Sequence, residues 1–228
     1  MTDIFKILLI LHIIGGSIGL IAGTINTIRK KGDRIHRLTG KFFLYGMLTA
    51  ATIALIMSVM HPNYFLFIAG IFTIYLASTG TRYLSLKDLG NGQKPKPIDW
   101  ILTGGMLLFS AAFIGFGIYK LVKGDTFGLV FVTFGYISSR MVRTDIKNHM
   151  GQSEIKNTWF VTHLQRMIGA YIAAITAFLV INLPQKLLPG YLFFIGWLLP
   201  TVILVPLILK WTKKYEIKKH RDNSFVSP

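Results

Sequence analysis

Seven apolar runs set the terms on which this chain can fold; they fall at 4–28, 36–60, 63–84, 98–120, 125–141, 161–182 and 189–211. Most exceed the roughly 18 residues that a helix needs to cross the hydrocarbon layer of a membrane. Lipid holds no water to satisfy exposed backbone N–H and C=O groups, so a run of that length is stable there as a helix, which satisfies them within itself. The expected fold is all-α: an integral membrane bundle of seven transmembrane helices over residues 1–212, followed by a basic tail at 213–228. Composition agrees. With 52% hydrophobic and 15% charged residues, a chain of 228 has too little polar surface to clothe a soluble domain.

The net charge of +16 would suggest nucleic acid in a soluble protein, but its placement argues for a membrane instead. Of the 25 Lys and Arg, six fall in 29–41, four in 82–97, four in 140–156 and six in the tail from Lys210 to Arg221. The alternate connections hold four: Lys6, Lys120, Lys123 and Lys186. Basic residues accumulate on the cytoplasmic side. The pattern therefore puts the amino terminus outside and the carboxyl terminus in the cytoplasm, and requires an odd number of spans. Expected partners are the bilayer and the anionic lipids at its basic face, with the tail as a headgroup anchor and a homo-oligomer left open. Nucleic acid is not expected. Trp100, Tyr119, Tyr191 and Trp211, near the ends of runs, fit interfacial belts.

Several chemistries drop out. The chain has no cysteine, which excludes disulfides, thiolate metal sites and cysteine nucleophiles. The first run lacks a basic flank and is too long for a cleaved signal, so it is expected to be retained. There is no G-x-S-x-G, and Gly15-Gly16-Ser17-Ile18-Gly19 lies inside an apolar run rather than after a soluble strand. All nine acidic residues fall in expected loops, tails or helix ends, which weighs against a proton relay through the middle.

The histidines carry the remaining signal. His12 lies on nearly the same helical face as Gly15, Gly19 and Gly23, a small-residue face suited to close helix packing. His36-Arg37-Leu38-Thr39-Gly40 opens the second run and aligns His36 with Gly40, Phe43 and Met47. His163-Leu164-Gln165-Arg166-Met167 leads the sixth and aligns His163 with Met167, Ala170 and Ala174. Both runs start on the same side, so His36 and His163 are expected at similar depth. Arg82, Asp99, Arg140, Arg143, Asp145, His149 and Arg166 lie near the same membrane face and could complete a polar vestibule.

These strings, H-I-I-G-G at His12, H-R-x-x-G at His36 and H-x-x-R-M-x-x-A-Y-I-A-A at His163, resemble an uncharacterised family of bacterial multi-pass membrane proteins, over about residues 8 to 182. The resemblance implies a bacterial inner-membrane location and singles out His12, His36, His163, Arg166 and the Arg140-to-Asp145 segment. Two histidines on separate helices are also similar to the arrangement in di-histidine haem proteins of the cytochrome b type.

Three functional readings follow. In the first, His36 and His163, with Met167 nearby, ligate haem b or a divalent zinc, copper or iron for redox or hydrolytic chemistry. Arg37, Arg143 and Arg166 then pair with propionates or a substrate anion, and His12 and Asp99 serve as further metal-ligand candidates. In the second, Arg82, Arg140, Arg143 and Arg166 bind an anionic metabolite or lipid headgroup for transport or sensing. In the third, the arginines are ordinary headgroup anchors and the histidines hydrogen-bond carbonyls.

Overall fold

The computed structural model describes residues 3–89, 91–182 and 190–218, with the side chains of 190–198 excepted. Lys186, the side chain of Tyr191 and the tail from residue 219 onward, all weighed above, lie outside the described residues. Among the described residues the chain is all-helical, with seven helices: α1 (Asp3–Ile28), α2 (Arg34–Met60), α3 (Tyr64–Tyr83), α4 (Pro97–Val122), α5 (Gly128–His149), α6 (Thr158–Asn182) and α7 (Gly190–Tyr215). Five of them, α1, α2, α3, α4 and α6, are long and apolar enough to cross a membrane.

The helix starts follow local chemistry. Asp33 Oδ1 accepts from the His36 amide at 2.6 Å, capping α2, and Asn63 Oδ1 accepts from the Leu66 amide at 3.0 Å, capping α3. Pro97 opens α4, where its missing N–H is not required, and Asp99 Oδ2 accepts from the Lys96 amide at 2.8 Å. The fifth run, expected at 125–141, is instead a helix that continues to His149 and carries Arg140, Arg143, Asp145 and Lys147 along its last part. Hydropathy alone ends the run where charges begin. Burial of Asp145, Asn148 and His149 against other helices keeps the backbone helical beyond that point.

Neighbouring helices pack in pairs, α1 on α2, α2 on α3 and α4 on α5, while α6 lies against α3 and α7 against α6. The α1–α2 pair is close because both faces lack side chains. A Cβ on Gly46 would come within 2.7 Å of the Gly15 carbonyl, and one on Gly15 within 3.1 Å of the Gly46 carbonyl. Inside lipid, where burial of apolar surface does not drive helices together, such backbone contact supplies dispersion attraction instead. The buried core runs through α2, α3 and α6 with Phe43, Met47, Ile68, Tyr75, Leu76 and Ile168. Pro200 and Pro206 lie inside α7, as the sequence places them.

The α1–α2 turn and the α3–α4 and α5–α6 connections share one end of the bundle. The chain after α7 joins them: the Lys156 amide donates to the Ile217 carbonyl at 2.7 Å, and Asn157 Nδ2 donates to the Tyr215 carbonyl at 2.7 Å. This is the basic end.

Candidate functional site

A cavity of about 590 Å³ opens among α1, α2, α3 and α6 at the basic end. His36 of α2 and His163 of α6 both line it, together with Gly40, Phe43 and Met167, so two of the aligned strings meet there. The other walls are aromatic and aliphatic: Trp159, Phe160, Leu164, Ile168 and Tyr171 of α6, and Leu44 of α2. Around them stand four cations, Lys31, Arg37, Lys41 and Lys87, and among the described residues no carboxylate is in the lining.

The electrostatics of that lining are unbalanced. Lys31 Nζ donates to the Asn26 carbonyl at 2.7 Å and the Thr27 carbonyl at 3.0 Å, closing the C-terminal end of α1, and lies 4.1 Å from the Trp211 ring centre. Partial burial pushes the Lys31 ammonium below its ordinary pKa. Arg37 Nη1 donates to the Gly32 carbonyl at 2.7 Å, and Lys87 lies 5.4 Å from the Trp159 ring centre. These partners are neutral. None of the four cations is in an ion pair among the described residues, whose pairs involve Lys6, Arg29, Arg82, Lys120 and Arg166.

The His163 ring is oriented by α3. Its Nδ1 is 2.8 Å from the Gly80 carbonyl oxygen, which can only accept, so Nδ1 carries the hydrogen and a neutral ring keeps its lone pair on Nε2. His12 is held in the same way, Nδ1 donating to the Ala50 carbonyl at 2.9 Å between α1 and α2, away from the cavity.

The remaining candidates are distributed differently from the sequence expectation. Arg166 is 3% exposed and points into the helix bundle, where its Nη2 donates to Asp145 Oδ1 at 2.8 Å and to the Met141 carbonyl at 3.0 Å. Asp145, fully buried, also accepts from Tyr83 at 2.9 Å and from Tyr75. Asn148 in turn donates to the Tyr83 oxygen at 3.1 Å. Arg166 is thus a member of a buried polar network joining α3, α5 and α6, in which its Nη1 is left without a hydrogen-bond partner among the described residues. Asp99 is likewise occupied: Arg82 Nε and Nη2 reach its two oxygens at 2.8 and 2.9 Å, a forked pair. Arg140 and Arg143 are exposed on α5 and do not line the cavity. The structure therefore does not bring His12, His36, His163 and Asp99 together, and among the described residues no group of three or more His, Asp or Glu is arranged to hold a metal ion.

Sequence reasoning placed Asp145 at a helix end, whereas it is the most deeply buried carboxylate of the described residues. A signal was present: Asp145, Asn148 and His149 follow at helical spacing, and Tyr75 and Tyr83 lie two turns apart on one face of α3. The cavity cations Lys31, Lys41 and Lys87 were legible only as headgroup anchors. Comparison with protein-family models, curated proteins and solved structures finds no match for this chain.

Proposed function

We propose that this chain is a seven-span protein of the bacterial inner membrane, its amino terminus outside and its basic end in the cytoplasm, that binds an amphipathic anion in the cavity beside α6 as a carrier or sensor of that ligand. The alternation of basic and nearly uncharged connections supports the orientation. The observation that carries the binding reading is the lining: four cations and, among the described residues, no carboxylate, set over a wall of Trp159, Phe160, Leu164 and Ile168. Cations outside any ion pair among the described residues favour an acidic group from outside the chain, and an apolar wall beneath them favours a ligand with a hydrocarbon or aromatic body. The test is calorimetric titration of butyl phosphate into the protein in phosphatidylcholine nanodiscs. Binding is expected, and Arg37→Gln with Lys41→Gln lowers affinity about tenfold or more, the worth of one charge-assisted hydrogen bond. No heat of binding in the unaltered protein overturns the reading.

A second reading rests on one specific observation, the His163 ring held through Nδ1 by the Gly80 carbonyl in a cavity that His36 also lines. Two imidazoles, apolar walls and cations suited to propionates match the needs of haem b. Protein purified from haem-supplemented cells then shows a Soret band that His163→Ala abolishes; a colourless preparation after haem titration removes this reading and leaves the anion site untouched.

A further inference from the structure

Next to the main cavity lies a smaller one of about 220 Å³, between α1, α6 and α7. The two share Thr27 and Tyr171 in their walls. The smaller space is lined otherwise by Ile175, Leu179, Leu199, Pro200, Ile203 and Leu204 with Thr24 and Ile28, and among the described residues its lining holds no charge. Its polar atoms are already satisfied within the chain. Thr24 Oγ1 donates to the Leu20 carbonyl at 2.8 Å and lies 2.6 Å from the Tyr171 hydroxyl, and Thr27 Oγ1 donates to the Gly23 carbonyl at 2.9 Å. Nothing there calls for a polar ligand. Ile28, Leu199 and Ile203 of its lining are 80%, 45% and 60% exposed, so the groove is open along α1 and α7.

The partition between the spaces is thin. Tyr171 lies against α1 because Gly23 has no side chain; a Cβ there would collide with the Tyr171 ring and meet Phe43 at 3.0 Å. Charge is thus concentrated on one side of a single aromatic ring, and hydrocarbon alone on the other.

From this juxtaposition we infer that the ligand is a single-chain anionic amphiphile drawn from the membrane, its phosphate or carboxylate head held by Arg37, Lys41 and Lys87 and its chain passing, once the Tyr171 ring swings off Gly23, through the α1–α6–α7 groove into the bilayer. The inference rests on the anion-binding reading above and adds the source and the path. Hydrophobicity does not pull the chain into the groove, because the surrounding lipid is equally apolar. The head sets the position, and the groove is the uncharged space adjoining it through which a longer chain reaches the bilayer.

The test uses the full chain in phosphatidylcholine nanodiscs and dodecyl phosphate with a photoreactive diazirine at the chain end. Labelling is expected at 175–179 and 199–204, competed by unlabelled dodecyl phosphate. Ile203→Trp, or Leu199→Trp should the first variant not fold, removes the label from α7 and leaves calorimetric binding of butyl phosphate unchanged, since both positions line the groove and neither lines the main cavity. Label on Phe43, Leu164 or Ile168 shows a chain coiled inside the main cavity and overturns the path. So does label spread along the outer faces of α1 and α4, the mark of probe dissolved in the bilayer. Failure of butyl phosphate to bind overturns the parent reading separately.

Discussion

The two sides of this bundle handle charge in opposite ways. Where α3, α4 and α5 meet, each cation drawn inward has a carboxylate: Arg82 with Asp99, Arg166 with Asp145, and Lys120 with Asp125 at 2.7 Å. The space between is filled by aromatic contacts, Phe113 with Phe131 at 5.9 Å and Phe116 with Phe131 at 5.0 Å among them. Where α1, α2 and α6 meet, Lys31, Arg37 and Lys87 face neutral partners around an open cavity, and among the described residues neither they nor Lys41 are in an ion pair. Desolvating a charge without a partner is costly enough that buried charges are normally paired. The paired side reads as architecture. The other side has the composition of a binding site whose anion comes from elsewhere.

Predictions that break or sharpen this contrast start with the paired side. Asp145→Ala leaves the Arg166 guanidinium buried without a counter-charge and should cost about 3–5 kcal/mol, read as a fall in the thermal midpoint in detergent. The double change Asp145→Asn with Arg166→Gln should lose less than the two single changes together; simple additivity would mean that the pair is not coupled. Next, Gly23→Ala forces Tyr171 and Phe43 apart at the cavity wall and should destabilise by about 1–3 kcal/mol. Gly16→Ala is the control, because a Cβ there meets nothing within 4 Å, and it should stay within about 0.5 kcal/mol of the parent. Equal losses at the two glycines would refute the close approach of α6 to α1.

On the open side, Arg37→Gln with Lys41→Gln should leave the unfolding midpoint nearly unchanged while weakening butyl phosphate binding, because exposed cations without carboxylate partners contribute little to folding. A large drop in stability would place these residues in the architecture after all. The smallest effect concerns pH. The His36 amide, and then Arg29, hold the Asp33 carboxyl below its usual range. The folded state therefore binds fewer protons than the unfolded chain as acid is added. The contribution of this cap is full at neutral pH and fades as pH falls through the carboxylate range. Asp33→Asn, an uncharged acceptor, should flatten that part of the stability profile.

Much of this was legible from the chain alone. Apolar runs located all seven helices, since hydropathy over a span sums many residues and no single misjudged side chain spoils it. The strings at His36 and His163 could be aligned by helical spacing, and both residues line one cavity. The arginines were not. Arg166 and Arg82 looked as available as Arg37, because a sequence records that a cation exists and not whether a carboxylate from another helix meets it. Asp145, some 20 residues before Arg166 and two helices from Tyr75, could be recognised as buried only once three helices were assembled around it.

Helix number and the clustering of positive charge at alternate connections were determined by the sequence itself, because each depends on composition within a short stretch and on the solvent that stretch can tolerate. Which cations are neutralised and which remain available was decided by tertiary structure. Ion pairing depends on distances of a few ångströms between residues far apart along the chain, and only the packing of α3 against α5 and α6, and of α1 against α2, sets those distances.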